Sequence, residues 1–210
     1  IDSSVSSTLS AMTGLKTIVL SMPIKQKSSQ YDLGLKHQEW LIKNFKNVEA
    51  HTVNLDKLFE TFENSMSKFV SDLGMANSRA RLRMAVLYQV ATANNGIVVG
   101  TGNKIEDFGV GFYTKYGDGG VDISPIADCN KTEVWEMGRE LNILNEIIDA
   151  APTDGLWDDG RTDESQLGLK YEELEEAMNN LNSPNREKYE KIRKMNLHKM
   201  VPIPVCKIPN

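Results

Sequence analysis

The chain has 210 residues, of which 40% are hydrophobic and 25% charged, as is typical of one globular α/β domain and not of a disordered or fibrous protein. Its formal net charge of −5 argues against a protein that mainly coats nucleic acid. No apolar run is long enough to span a bilayer, so the sequence predicts no membrane segment. The two cysteines, Cys129 and Cys206, form no CxxC motif, and we expect a reducing, cytoplasmic protein without a zinc site.

The first half of the chain contains the signal of one strand, with helix signals before and after it. A helix-compatible stretch ends near Met12, and the β-branched run Thr17–Leu20 predicts a buried parallel strand. Apolar residues at helical spacing predict helices over about Tyr31–Phe45, Asp56–Leu73 and Asn77–Asn94.

The second half repeats this alternation. The run Gly96–Gly100 predicts another buried strand, and Asn130 followed by Glu133 predicts a capped helix that extends through Arg139. Further helices are predicted over Tyr171–Met178 and Arg186–Met195. Strands that alternate with helices indicate an α/β fold with a doubly wound, mostly parallel sheet and helices on both faces.

Glycines are concentrated directly after the predicted strand Gly96–Gly100. Eight of the fifteen fall between Gly96 and Gly120, interleaved with charged side chains. Open α/β sheets bind ligands at the carboxyl ends of their strands, so we interpret this segment as a ligand loop. A set of tight turns that require positive φ is the alternative.

The chain opens with Asp2 and two serines in front of a helical stretch. These are ordinary N-cap residues. The same residues at a helix start also suit a phosphate cradle, in which backbone N–H groups and hydroxyls hold the anion and Asp2 holds its magnesium.

Taken together, the motifs resemble the NAD synthetase family of ATP-pyrophosphatases. Ile1-Asp2-Ser3 resembles the last three positions of the family's pyrophosphate loop, Ser-Gly-Gly-x-Asp-Ser. The other matching segments, in the family's order, are Ala80–Met84, Gly100–Asp107, Gly111–Asp122, Pro125, Lys131, Pro152–Glu164 and His198-Lys199. A single glycine-rich loop would be a weak signal, whereas this set spans essentially the whole chain.

The resemblance implies a fold and a reaction. We expect residues 1–210 to form a single NAD synthetase domain of the adenine nucleotide alpha hydrolase-like fold, without the family's N-terminal helix, first strand and the Ser-Gly-Gly of the loop. The implied reaction amidates deamido-NAD (nicotinate adenine dinucleotide) with ammonia and ATP, through an adenylated carboxylate, to give NAD, AMP and pyrophosphate. In such a reaction the protein contributes mostly positioning and neutralisation of charge.

The resemblance also implies residue roles around ATP. Asp2 and Glu106 match the carboxylates that hold Mg²⁺, and Lys131 matches a catalytic lysine on an ATP phosphate. The ATP-binding candidates are Asp2, Ser3, Thr101, Lys131 and Thr153. Asp118 is a candidate to take a proton from ammonium, or else it caps a glycine turn.

A second set of matches concerns the dinucleotide substrate. The candidates are Arg81, Phe112, Lys115, Asp122, His198 and Lys199. Phe112 either stacks on the nicotinate ring or is a core residue, and Met22 lies either under the adenine or in the core. A surface ion pair is the simplest interpretation of Arg79 and one option for Arg83. The acidic stretch Thr153–Glu164 is expected to be a solvated loop and a lid over ATP.

Two function classes remain open at this point. The first is an ammonia-dependent ligase that forms a homodimer with deamido-NAD near the interface and binds neither nucleic acid nor membrane. The second is a non-catalytic nucleotide-binding relative. Asp2, Glu106 and Lys131 together favour the enzyme, because a protein that only binds nucleotides has no chemical need for all three.

Overall fold

The computed structural model describes residues 1–25, 28–157 and 159–208. It has an α/β architecture in which helices flank a parallel sheet, as the sequence predicts. Strand β1 (Thr17–Ser21) pairs in parallel with β2 (Val48–Thr52), in a register that places Thr17 opposite Val48. The helices are α1 (Asp2–Met12), α2 (Ser28–Asn44), α3 (Asp56–Ser65), α4 (Asp72–Ala93), α5 (Lys131–Glu140), α6 (Asn145–Ile148), α7 (Asp163–Leu167), α8 (Tyr171–Asn179) and α9 (Arg186–Met200).

Most predicted helices are confirmed, with one correction. The helix predicted over Asp56–Leu73 is wrong in its second half, because α3 ends at Ser65 and α4 begins at Asp72. The local cause is a cap, since the Ser71 hydroxyl accepts the Gly74 N–H at 3.2 Å and so starts a new helix. At α5, the Glu133 carboxylate accepts the Asn130 N–H at 2.7 Å, as predicted from their spacing.

The strand predicted over Gly96–Gly100 is also wrong, because this segment is not a strand of the sheet. In the described part of the chain this segment contributes a single parallel bridge, between Val99 and Ile123, and Ile97 is 59% exposed. The Val98 N–H donates to the side chain of Asp122 at 2.7 Å. The segment therefore bonds to residues 122 and 123, and among the described residues it does not join the β1–β2 ladder.

The glycine-rich segment that follows contains a π-helical turn, Ile105–Val110, which the sequence reading missed. It ends at Gly111, whose φ of 68° favours glycine. A Cβ at Gly102 would lie 2.2 Å from an oxygen of Asp107, so any other residue there would displace this carboxylate. The segment is therefore compact structure and not an open loop.

Two core clusters bring distant parts of the chain to one place. Val5 of α1 packs with Ile126 and with Val134 of α5. Ile105 of the π-helical turn packs with Tyr171 of α8. The starts of α1, α5 and α8 and the π-helical turn therefore meet. Within the described residues, no helix is long and apolar enough to cross a membrane.

A buried histidine lies under α1. His37 of α2, to which the sequence assigned no role, is 6% exposed, and its Nε2 lies 3.0 Å from the Ser7 hydroxyl. Its ring stacks on Trp40 at a centroid distance of 5.6 Å. Burial lowers the pKa of His37 from its ordinary 6.5 to about 4, so the folded protein holds it neutral.

This histidine is expected to make the protein less stable in acid. Because the folded pKa lies below the unfolded one, the unfolded chain binds more protons between pH 6.5 and 4, and stability falls as pH falls through that window. Between pH 7 and pH 4.5 the free energy of unfolding is expected to fall by about 2 kcal/mol because of His37. Urea unfolding of wild type and His37→Gln at both pH values measures it. An equal loss in both proteins would contradict the assignment.

Candidate functional site

A buried ion-pair centre lies where α1, α5 and the π-helical turn meet. Lys131, the first residue of α5, is 2% exposed. Its Nζ lies 2.5 Å from Asp2 Oδ2 and 3.1 Å from Glu106 Oε1. Buried charges are tolerated when they are paired, and here one ammonium faces two carboxylates. The structure thus brings together the three residues expected to hold magnesium and ATP phosphate.

Asn103 fixes the two carboxylates relative to each other. This fully buried side chain donates from Nδ2 to Asp2 Oδ1 at 2.9 Å. Its Oδ1 accepts the backbone N–H groups of Ile105 and Glu106, both at 3.1 Å. One amide therefore caps the turn that carries Glu106 and holds the start of α1.

Tyr171 and Asp163 border the same centre. The Tyr171 hydroxyl lies 2.6 Å from Glu106 Oε1 and 3.3 Å from Asp163 Oδ2. The Lys131 Nζ lies 4.6 Å from the centroid of the Tyr171 ring. Asp163 is 5% exposed, and its Oδ1 is buried without a hydrogen-bond partner in the described structure. Two carboxylates thus pair with the Lys131 ammonium, and a third, that of Asp163, contacts the Tyr171 hydroxyl.

This excess of carboxylates governs the protonation of the centre. Burial alone would lower the pKa of Lys131, but Glu106 and Asp2 raise it above its usual range, so the amine stays charged. Burial raises the pKa of Glu106. Burial, reinforced by Glu106, raises the pKa of Asp163 to about 7. The centre therefore favours the approach of a further cation.

The centre opens into a cavity of about 480 Å³, a size suited to a small ligand. The predicted site residues that line it are Asp2, Ser3, Thr101, Glu106, Phe112, Asp118 and Thr153. Met22 lines it as well. The Asp118 carboxylate also accepts the Thr114 N–H at 3.0 Å, so it caps the glycine turn while facing the cavity.

The substrate candidates other than Phe112 lie outside this lining. Arg81 donates to the Lys115 carbonyl at 3.2 Å, and the Lys115 ammonium donates to the His198 carbonyl at 2.9 Å. Lys199 donates to the carbonyls of Gly111 and Tyr113. Their side chains join the end of α9 to the glycine-rich segment.

Asp122 has a different position from the other candidates. Its two oxygens accept from the Val98 N–H at 2.7 Å and from the Tyr88 hydroxyl at 3.1 Å. It therefore fixes the extended segment next to α4. Its role toward a substrate stays a prediction.

Two arginines of α4, for which a surface position is one interpretation of the sequence, are less exposed than that interpretation predicts. Arg79 is 6% exposed, lies over the Phe59 ring and donates to the Leu156 carbonyl at 2.7 Å. Arg83 lines the cavity, and its Nε donates to the Met22 carbonyl at 3.0 Å. The Arg83 Nη2 is buried without a partner in the described structure. The surface position was wrong because position on a helix does not show which neighbours cover that face.

The acidic stretch Thr153–Glu164 is likewise only partly solvated. Asp159 is exposed and binds Arg161, but Asp163 is buried at the ion-pair centre. Glu164 accepts the Tyr171 N–H at 3.1 Å. Asp158 lies outside the described residues. The expectation of a wholly solvated loop was therefore wrong at its C-terminal end, while the lid role stays a prediction.

Comparison with known proteins places the chain in a family. The model of the family described as NAD synthase matches residues 1–208. The chain belongs to the NAD synthase family. It is therefore an enzyme of the ligase class, and the binding-only alternative is not supported. The NAD synthase relatives include the NH(3)-dependent NAD(+) synthetases of Carboxydothermus hydrogenoformans and Methanosarcina acetivorans. The first is 36% identical over 77% of this chain and 72% of the relative, and the second 37% identical over 85% and 69%.

Solved structures of similar proteins agree with this membership. The NMN synthetase from Francisella tularensis superposes with a TM-score of 0.87 and 33% identity, over 100% of this chain and 85% of that one. The NH3-dependent NAD synthetase from Campylobacter jejuni superposes with a TM-score of 0.75 over 98% and 85%, at 21% identity, which supports the fold alone. The NAD synthase fold is thus shared, with helices around a parallel sheet.

The donors at the centre suit the magnesium expected for an NAD synthase. Magnesium takes one or two carboxylates together with phosphate oxygens and water. Asp2 and Glu106 supply two carboxylates next to the cavity. No group of three or more histidine, cysteine or acidic side chains that could hold a metal is found among the described residues. Two carboxylates beside a cavity match the small number of protein ligands that magnesium takes.

Proposed function

We propose that the protein joins ammonia to the carboxylate of deamido-NAD, consuming ATP and releasing AMP and pyrophosphate. A free carboxylate is a poor acyl donor, so one of its oxygens first attacks the α-phosphorus of ATP and pyrophosphate leaves. Ammonia then attacks the carbonyl carbon of this mixed anhydride, and AMP leaves with one of the original carboxylate oxygens. The observation that carries the proposal is the buried Lys131 ammonium, paired with the Asp2 and Glu106 carboxylates that line a ligand-sized cavity.

Lys131, whose carboxylate partners line the cavity, is proposed to serve the adenylation step. Negative charge moves onto the leaving pyrophosphate, and a fixed ammonium stabilises that charge without having to reorganise. The carboxylates keep Lys131 protonated, and burial restricts its side chain. Ser3, Thr101 and Thr153 line the same cavity, where their hydroxyls or backbone groups can bind ATP oxygens.

We further propose that Asp2 and Glu106 hold the magnesium that accompanies ATP. When bound, this ion neutralises phosphate charge and polarises the phosphoryl oxygens. Asn103 orients Asp2, and the Lys131 ammonium lies between the two carboxylates and limits their mutual repulsion. The carboxylates are thus placed before ATP arrives, and ordering them on binding costs little.

The remaining candidates would serve the second substrate. Asp118 lines the cavity and is proposed to accept a proton from ammonium or from the attacking nitrogen. Phe112, which also packs on the core, is proposed to contact the nicotinate ring. The rest of the dinucleotide is proposed to bind to the other candidates, which are Arg81, Lys115, Asp122, His198 and Lys199.

We also propose an oligomeric state and a cellular location. We expect a homodimer with deamido-NAD near its interface, on the basis of the family resemblance. The α4 face carrying Leu82 and Val86 packs against Phe59, so this face belongs to the core of the subunit. Cys129 and Cys206 are both free, in line with the expected cytoplasmic location.

A second candidate substrate is the deamidated mononucleotide, nicotinate mononucleotide. It is favoured by the structural similarity to an NMN synthetase at 33% identity over the whole chain. The same adenylation and amidation would act on it, because its reacting carboxylate is identical. The two substrates differ only in the adenylate half, which lies far from the chemistry.

One assay separates these functions. The protein is incubated with ATP, Mg²⁺, ammonium and either nicotinate nucleotide, and the amide product and AMP are quantified by mass spectrometry. We expect NAD and AMP in equal amounts, with a higher kcat/KM for deamido-NAD. A higher kcat/KM for the mononucleotide would select the second candidate. Binding of both nucleotides without amide formation would contradict the proposed function.

Arg83 is expected to contribute to ATP binding. Its Nη2 is buried, unpartnered in the described structure and next to the cavity, while its Nε is held by Met22. Burial lowers its pKa only to about 10, so it stays cationic at neutral pH. Losing a hydrogen bond to a charged group costs about tenfold or more in affinity. Arg83→Met is therefore expected to weaken binding of α,β-methylene-ATP by that factor.

The matched control for Arg83 is Arg139→Gln, which removes a positive charge from an exposed position of α5. Isothermal titration calorimetry of both variants measures the effect. Equal affinity in the two variants would show that Arg83 does not contact the nucleotide.

A further inference from the structure

Tyr171 contacts both members of the ion pair at the candidate magnesium site. Its hydroxyl lies 2.6 Å from Glu106 Oε1, and its ring lies under the Lys131 ammonium at 4.6 Å. The hydroxyl has one hydrogen to donate. The shorter contact indicates that it donates this hydrogen to Glu106 and not to Asp163, which is 3.3 Å away. Tyr171 is therefore a donor to a carboxylate that is expected to hold a metal.

The surrounding core leaves this tyrosine little freedom. Its side chain is fully buried, and its backbone N–H donates to Glu164 at 3.1 Å. Trp135 packs edge-on against the ring at a centroid distance of 6.0 Å. Because the ring is held in this way, the position of the hydroxyl oxygen is fixed. The hydroxyl therefore orients the Glu106 carboxylate that it binds.

The two oxygens of Glu106 consequently have different roles. Oε1 accepts from both Tyr171 and Lys131. No hydrogen bond to Oε2 is found in the described part of the chain, and Glu106 lines the cavity. We propose that Tyr171 is a positioning residue that fixes Glu106 with Oε1 toward Lys131 and leaves Oε2 for the metal that accompanies ATP. This inference rests on the proposed function.

Asp163 completes the arrangement from behind the tyrosine. Its Oδ2 lies close to the hydroxyl, and its buried carboxyl group is near Lys131. It offers the Tyr171 hydroxyl a second buried acceptor beside Glu106. Outer partners of metal ligands are worth about ten- to a hundredfold in metal affinity.

The test compares two tyrosines of the same core cluster. Tyr189 is 2% exposed, and its hydroxyl lies 3.3 Å from the Gly109 carbonyl, away from the ion-pair centre. Binding of Mn²⁺ with α,β-methylene-ATP is measured by calorimetry for wild type, Tyr171→Phe and Tyr189→Phe. We expect Tyr171→Phe to weaken Mn²⁺ binding about tenfold or more and Tyr189→Phe to leave it unchanged. Equal affinities, or a wild type that binds no Mn²⁺, would overturn the inference.

Two further variants separate positioning from a general loss of structure. In a Glu106→Gln background, Tyr171→Phe is expected to have no additional effect on Mn²⁺ affinity, whereas a persisting effect would contradict action through Glu106. Should Tyr171→Phe not fold, 3-fluorotyrosine at position 171 keeps the ring and makes the hydroxyl a stronger donor. Tighter Mn²⁺ binding is then expected, and unchanged or weaker binding would overturn the inference. Because these readouts need no amidation, the inference and the proposed function can fail separately.

Discussion

Replacing Lys131 by methionine is expected to lower turnover by about a hundredfold or more, since the ammonium stabilises charge that develops in the transition state. The same substitution is expected to destabilise the magnesium-free protein by about 3 to 5 kcal/mol, because it leaves buried carboxylates without their cation. Lys131 is 2% exposed and bonded to both Asp2 and Glu106, so water does not replace it. Methionine keeps most of the volume and limits the effect to the charge.

Magnesium distinguishes this explanation from a packing defect. The stability lost in Lys131→Met is expected to be partly restored by Mg²⁺, because the ion supplies positive charge to the same carboxylates. Urea unfolding with and without Mg²⁺, together with steady-state turnover, measures both effects. Lys170→Met, at an exposed lysine before α8, is the matched control and should change neither. Near-normal turnover of folded Lys131→Met would refute the assigned role.

Replacing Glu106 by glutamine is expected to abolish most turnover. Unlike Lys131→Met, it is expected not to destabilise the protein. Burial raises the pKa of Glu106, so the ionised carboxylate is held at a cost at neutral pH. Removing its charge relieves that cost while Lys131 keeps Asp2 as its partner at 2.5 Å. The melting temperature at pH 7 is therefore expected to equal or exceed that of wild type, although turnover falls about a hundredfold.

The magnesium requirement is the specific readout for Glu106. The Mg²⁺ concentration at half-maximal rate is expected to rise about tenfold or more, since losing a ligand costs at least as much as losing an outer partner. Glu136→Gln, at an exposed position of α5, tests whether overall charge is responsible. An unchanged Mg²⁺ requirement in Glu106→Gln would show that this carboxylate does not hold the metal.

The α/β class and most helices follow from local patterns in the sequence, and the exceptions have physical causes. Strand β2 was missed because Val48–Thr52 is short and mostly half-exposed or exposed, so it lacks a continuous apolar run. The strand expected at Gly96–Gly100 contains the same residue types as a buried strand, but the Asp122 side chain takes a backbone donor of that segment. Pairing depends on distant partners that local composition does not specify.

At the site, motif residues could be predicted and their buried neighbours could not. Asp2, Glu106 and Lys131 were expected from their resemblance to family motifs, and the structure places them together. Tyr171 begins an acidic, amphipathic helix and gives no local signal, because its partner Glu106 lies 65 positions earlier. Asp163 lies in a charge run of the kind usually exposed to solvent. Its burial follows from the packing of α7 and α8, which the sequence pattern does not reveal.

We propose above all that this site activates the nicotinate carboxylate by transferring the adenylyl group of ATP to one of its oxygens, with release of pyrophosphate. The most direct test uses deamido-NAD labelled with ¹⁸O in that carboxylate, together with ATP, Mg²⁺ and ammonium, and analyses the products by mass spectrometry. We expect one ¹⁸O in the phosphate of AMP, none in pyrophosphate, and one retained in the amide of NAD. Label in pyrophosphate or inorganic phosphate, or unlabelled AMP alongside NAD, would contradict adenylation as the activating step.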